Sequence, residues 1–83
     1  MKKVLRFTAS WCGPCKALAP LVEDVKRDVL VEVVDIDEES NVKLATQFGV
    51  RVVPTLVMLN DEVEVKRLVG MTKKDKLEEW FHG

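Results

Sequence analysis

Residues 11–15 read WCGPC and hold both cysteines of the 83-residue chain, three positions apart, with Gly13 and Pro14 between them. Their neighbours decide how they are read. Residues 3–9, KVLRFTA, are short and rich in β-formers, which predicts a strand running straight into the motif. From Gly13 onward, Ala17, Leu18, Leu21, Val22 and Val25 recur at three- and four-residue spacing, the period of an amphipathic helix that ends near Arg27. Pro20 lies inside it and removes one helical hydrogen bond, so a bent axis is expected. WCGPC therefore sits where a strand hands over to a helix.

Residues 30–36 (LVEVVDI) form a nearly unbroken β-branched run, the pattern of a buried strand in a parallel sheet. Residues 39–48 read as a second helix, with Val42, Ala45 and Phe48 on one side, Leu44 flanking them, Ser40 as N-cap and Gly49 as the stop. A third strand, 52–59, is entered through Val53-Pro54. Asn60-Asp61 marks a tight turn, and residues 63–69 form the antiparallel partner. Thr72-Lys73-Lys74-Asp75, a weaker relative of the capping box, opens a last helix. On it Leu77, Trp80 and Phe81 share a core-facing side, while His82 reads as a frayed end. The order β-α-β-α-β-β-α predicts one α/β domain over residues 1–83, a four-stranded mixed sheet with three helices on its two faces. The first two strands are expected to be parallel neighbours.

Composition bounds the function. The chain is 47% hydrophobic and 33% charged with a formal net charge of -1, and no block of like charge breaks it, which argues against disorder and against a nucleic-acid partner. No apolar run is long enough for an export signal or a bilayer span, so a cytoplasmic protein without a membrane partner is expected. In that compartment thiols are kept reduced, which disfavours a permanent structural disulfide.

Three uses of Cys12 and Cys15 compete. A structural zinc site needs about four ligands. The chain offers two cysteines and His82, which leaves open only a cluster shared between chains. A structural disulfide across so short a ring constrains little chain entropy. Redox chemistry fits the placement better. A sulfur at the end of a strand, just before a helix, lies near the positive end of the helix dipole, which favours thiolate, the attacking species in thiol-disulfide exchange. Cys12 is thus the expected nucleophile. Cys15, one turn further in and less exposed, is the expected resolving thiol, which displaces a reduced substrate from the mixed disulfide on Cys12. Gly13 lets a partner's backbone approach, and Pro14 suits the first turn of a helix.

The run WCGPCKALAP, the Val53-Pro54-Thr55 segment two elements later, and Val69-Gly70 before the last helix together resemble the thioredoxin family, over essentially the whole chain. The resemblance implies the thioredoxin-like three-layer fold and a cis Val53-Pro54 bond beside the active-site disulfide. It also implies a shallow groove rimmed by Trp11, Gly13, Pro14, Val53, Pro54, Gly70 and Met71. An extended substrate segment would lie there, pairing with the Val53 backbone as an added strand. The implied activity is reduction of protein disulfides by a monomer that needs no cofactor beyond its own disulfide and is re-reduced by a flavoprotein of the thioredoxin-reductase type.

Two features depart from the family pattern. The usual layout places an extra strand and helix before the strand that leads into the motif, whereas this sequence starts at that strand. Residues 30–36 are therefore also expected to be a sheet edge, with some apolar surface exposed or shielded by long side chains. Secondly, relatives commonly carry a buried acid six residues before the first cysteine and a lysine near it on the adjacent strand. Here those places hold Arg6 and Val33. Arg6 cannot serve as a base. It is expected to steady a thiolate, pair with Asp35 or lie at the surface; since burying a bare guanidinium is costly, it needs a carboxylate or water. Asp35, Asp37, Glu38 and Glu39 read as a solvated loop and helix start. Two other functions compete: a glutaredoxin-like, glutathione-linked redoxin, disfavoured by Gly-Pro between the cysteines and Gly70-Met71 near the last helix, and a docking subunit whose groove binds a partner independently of redox.

Overall fold

Alternation along residues 2–8 places Val4 on one side of a strand and Leu5 and Phe7 on the other, all of them buried. Two hydrophobic faces on one strand require cover on both sides. In the computed structural model, which describes residues 1–83, β1 (Lys2–Thr8) accordingly occupies the interior of a sheet ordered β2-β1-β3-β4. It runs parallel to β2 (Leu30–Asp35) and antiparallel to β3 (Thr55–Asn60), which pairs antiparallel with β4 (Val63–Val69). Helices α1 (Gly13–Val25), α2 (Glu39–Gln47) and α3 (Lys74–His82) complete the expected order.

The two faces make two cores. Val4 packs with Leu18, Val22 and Val25 of α1 and with Leu77 and Phe81 of α3. Leu5 and Phe7 pack on the opposite face with Val34, Val57, Leu59 and Ala45 of α2. The fold is thus three-layered, with α1 and α3 on one side of the mixed sheet and α2 on the other. Trp80 is only half-buried at the margin of the first core, where the Lys66 ammonium lies 5.3 Å from its ring centre.

Several local expectations are corrected. The β-branched run of β2 suggested burial on both faces, yet β2 is also the sheet edge expected without a preceding strand and helix: Leu30 is 60% exposed and Val33 54%, Val34 alone is fully buried, and Val31 packs partly against the first core. β3 begins at Thr55, not at residue 52. The chain turns through the cis Val53–Pro54 bond, and the Thr55 hydroxyl donates to the Val52 carbonyl at 2.8 Å. The hairpin turn falls one residue later than expected, on Asp61 and Glu62, both at positive φ. Asn60 stays in register with Lys2 of β1, and Asp61 is held by the Met1 carbonyl, 3.1 Å from its amide. Ser40 does not cap α2. The Glu38 amide bonds the Asp35 carbonyl at 3.2 Å, so the helix starts earlier and Glu38 holds the cap position. Thr72 does not cap α3 either, and the Asp75 carboxylate accepts the Lys76 amide instead. His82 is not frayed: its Nε2 donates to the Val25 carbonyl at 2.6 Å, tying the end of α3 to the end of α1. Gly49 does end the α2 segment, at φ +64°, where a side chain would be strained.

Because Leu77 is fully buried between α3 and the sheet, Leu77→Ala is expected to lower the unfolding free energy by roughly 2–5 kcal/mol in denaturant titration, from lost burial plus a cavity. A wild-type-like midpoint would refute this packing. A second prediction concerns acid. Arg67 clamps Glu64 through two hydrogen bonds of 2.6 and 2.7 Å and also donates to the Phe48 carbonyl, which holds the Glu64 carboxyl below its usual range. A carboxylate depressed by folding contributes stability above its unfolded pKa and loses it as pH falls through the folded one. Glu64→Gln should therefore destabilise the protein near neutrality by up to about 1 kcal/mol and leave stability unchanged below the folded Glu64 titration. Urea midpoints measured across acid pH check both arms.

Candidate active site

β1 ends at Thr8, and the chain needs four residues to turn into α1. Ala9 stays buried, and its carbonyl accepts the Cys12 amide at 3.1 Å. Cys12 then takes the N-cap position with extended backbone, and its sulfur accepts the Cys15 amide at 3.2 Å. This is the place of a capping side-chain oxygen, filled here by sulfur. Pro14 falls in the first turn, where its missing N–H leaves no helical bond unmade.

Cys12 and Cys15 are joined as a disulfide with Cα atoms 5.3 Å apart. Both are buried, Cys15 the more deeply at 1% exposure against 4%. With Ala9 they form a small cluster against Ile36 and Val53. The Val53 carbonyl oxygen lies 3.7 Å from Cys12 Sγ. Pro54 is buried, and its carbonyl accepts the Gly70 amide at 2.8 Å, with Gly70 at φ +86°. Three distant segments thus converge: residues 11–15, 52–54 and 70.

The remaining rim positions lie outward. Trp11 is 68% exposed, and Gly13 and Pro14 are exposed, with nothing within 4 Å of where a Gly13 side chain would begin. Met71 is exposed beside Gly70. The Val53 amide makes no hydrogen bond within the chain, so this backbone edge is unpaired.

Asp37 was missed, having read as one acid in a solvated loop. Its two carboxylate oxygens accept Trp11 Nε1 at 3.1 Å and Ser10 Oγ at 3.3 Å, and its amide bonds Asp35 Oδ1 at 2.9 Å. Sequence offered one signal, its position just past the strand parallel to the one that delivers Trp11. Arg6 does not pair with Asp35. It enters none of the ion pairs and is half-buried rather than fully enclosed, so it meets the expectation by reaching solvent. Burial lowers its guanidinium pKa, and the Glu23 carboxylate works against that. Arg6 is in register with Val33, as the alignment with the family implied. No group of three or more metal-ligating side chains converges anywhere in the chain.

Comparison with known proteins agrees with this geometry. The thioredoxin family model matches residues 1–83. Thioredoxin of Chlamydia muridarum is 42% identical over 72 residues, covering 86% of this chain and 71% of that protein. Bacillus subtilis thioredoxin is 39% identical over 75 residues, with 88% and 72% covered. Among solved structures, a mutant thioredoxin from Halobacterium salinarum superposes with a TM-score of 0.87 at 40% identity, over 96% of this chain and 71% of that one. Fasciola hepatica thioredoxin gives 0.84 at 36% identity, over 96% and 77%. Neither the glutaredoxin-like nor the docking-subunit reading is favoured by these matches. The chain belongs to the thioredoxin family and is a thiol-disulfide oxidoreductase, a protein-disulfide reductase that works through its own disulfide.

Proposed function

We propose that Cys12 is the attacking sulfur and Cys15 the resolving one. The observation that carries this is the Cys15 amide directed at Cys12 Sγ at the start of α1. In the dithiol state that donor and the helix terminus stabilise negative charge on Cys12, the charge that an attacking thiolate bears. The Cys12 thiolate attacks one sulfur of a substrate disulfide and releases the other as a thiolate, which takes a proton from water. The Cys15 thiolate then attacks Cys12 Sγ, the mixed disulfide breaks, and the second substrate thiol leaves. Two electrons pass from the dithiol to the substrate, and the protein ends as the Cys12–Cys15 disulfide.

The substrate lies across Trp11, Gly13, Pro14, Val53, Pro54, Gly70 and Met71, as an extended segment whose carbonyl accepts the free Val53 amide. The Asp37 hydrogen bond to Trp11 favours a fixed indole at that rim. Residues 1–83 act as one domain and as a monomer, in the cytoplasm, without a cofactor. A flavoprotein of the thioredoxin-reductase type returns the electrons.

Insulin reduction tests the assignment, run in parallel with a thioredoxin reductase system and with glutathione plus its reductase. Turnover is expected in the first and not in the second; turnover with glutathione alone would overturn the choice of reductant. Cys12→Ser should abolish turnover and form no covalent adduct, whereas Cys15→Ser should also lose turnover but trap a mixed disulfide through Cys12, visible by mass spectrometry. An adduct on Cys15 in the first variant would reverse the roles. Asp37→Ala, which frees the indole, should raise KM for insulin about two- to fivefold with kcat little changed, the loss of one exposed hydrogen bond. A fall in kcat alone would place Asp37 in the chemistry instead.

A further inference from the structure

The resolving step needs a Cys15 thiolate, and a cleft of about 240 Å³ opens beside Cys15 on the α1 side of the sheet. Arg6 lines it from β1, Lys16 from α1 and Asp35 from β2. Arg6, two residues after Val4 on β1, falls on the same face of the sheet, lines the cleft beside Cys15, Lys16 and Ala19 of α1, and is half-buried without a carboxylate within 4 Å. Other charges near this wall are placed differently. Lys16 is exposed and screened by water, and Glu23, further along α1, already contacts Lys26 at 3.5 Å. Asp35 Oδ1 is occupied by the Asp37 amide, and the Asp37 carboxylate by Ser10 and Trp11. The Thr8 and Ser10 hydroxyls in the same wall are neutral. Arg6 is therefore the half-buried charge in this wall with neither an ion pair nor a hydrogen-bond partner, and it is positive.

We propose that Arg6 is a positioning residue for the resolving step: its guanidinium, in the cleft it shares with Cys15, holds the Cys15 sulfur as thiolate, so that the proton leaves to solvent and not to a fixed carboxylate. The chemistry is that of a cation favouring an adjacent anion across partly desolvated space. In the mixed disulfide the Cys12 sulfur is neutral, so no like charge opposes the Cys15 thiolate at the moment it attacks. The cleft gives the proton its path to water. The proposal rests on Cys15 being the resolving thiol, which the trapping experiment above tests separately.

The test uses the Cys12→Ser chain, in which Cys15 is the sole thiol, with the Cys15 13Cβ shift followed against pH. Arg6→Gln should lower the thiolate-to-thiol ratio at a given pH about tenfold, a typical effect of one close charge. Arg6→Lys, which keeps the charge, should stay within about threefold of the parent on the same scale. Without any change at Arg6, raising salt from about 20 to about 500 mM should move the midpoint upward, since the cleft admits counterions. In the two-cysteine protein, Arg6→Gln should move the pH profile of mixed-disulfide resolution upward by the same factor. A Cys15 titration indifferent to both Arg6→Gln and salt overturns the proposal. So does loss of resolution in Asp35→Asn with none in Arg6→Gln, which would assign the proton to the Asp35 carboxylate.

Discussion

β1 is hydrogen-bonded along both edges, to β2 on one side and β3 on the other, and the placement of the cysteines depends on that double pairing. A strand held on two sides has one register, because a slip of one residue would exchange Val4 with Leu5 and turn both cores inside out. Thr8 is therefore fixed, and with it the point where the chain leaves the sheet. The Ile36 amide bonds the Thr8 carbonyl at 2.9 Å, which extends the same constraint to the neighbouring loop that carries Asp37. Cys12 and Trp11 are aimed by this ladder before any side chain of the site makes a contact.

Much of this was legible in the sequence, for identifiable reasons. Element type and order follow from hydrophobic period, and a change from period two to period three or four marked the passage from residue 9 to residue 13. The WCGPC spacing suited one sulfur to cap a helix while the other lay a turn inside. What the chain order hides is neighbourhood. Val31, Val33 and Val34 look alike as sequence, yet they differ in cover because β2 is an edge strand whose sole hydrogen-bonded neighbour is its parallel partner β1. A β-branched run signals a strand without saying how many sides are covered.

The same limit explains the turn and Asp37, while the caps were missed by a shift of one or two residues at each helix start. Ser40 and Thr72 have the right chemistry for an N-cap, but α2 already begins after Glu38, whose amide bonds the Asp35 carbonyl, and α3 begins after Lys73, so neither side chain falls at the cap position. Asn60 is a good turn residue held in a strand by Lys2, fifty-eight positions away by their numbers. Asp37 acquires its role only because β2 runs parallel to β1, which brings the loop after one beside the loop after the other. The turn and Asp37 both depend on a pairing between segments distant in sequence, so no local propensity could have revealed them.

The site itself is built mainly from backbone. The Ala9 carbonyl holds Cys12, the Pro54 carbonyl holds Gly70, and the Val52 carbonyl holds Thr55, while the Val53 amide is left unpaired. A reaction centre that cycles between disulfide and dithiol benefits from such a frame. Reduction changes one covalent bond and the charge on Cys12, and the nearest group that responds to that charge, the Cys15 amide, already points at the sulfur in the oxidised form. Little has to reorganise when electrons arrive. The side chains at the rim carry no part of the frame, so substrate preference can vary there without loosening the sulfurs. Arg6 is the exception, since it reaches the cleft from the strand that sets the frame, and any change of charge at that position acts on Cys15 without passing through the rim.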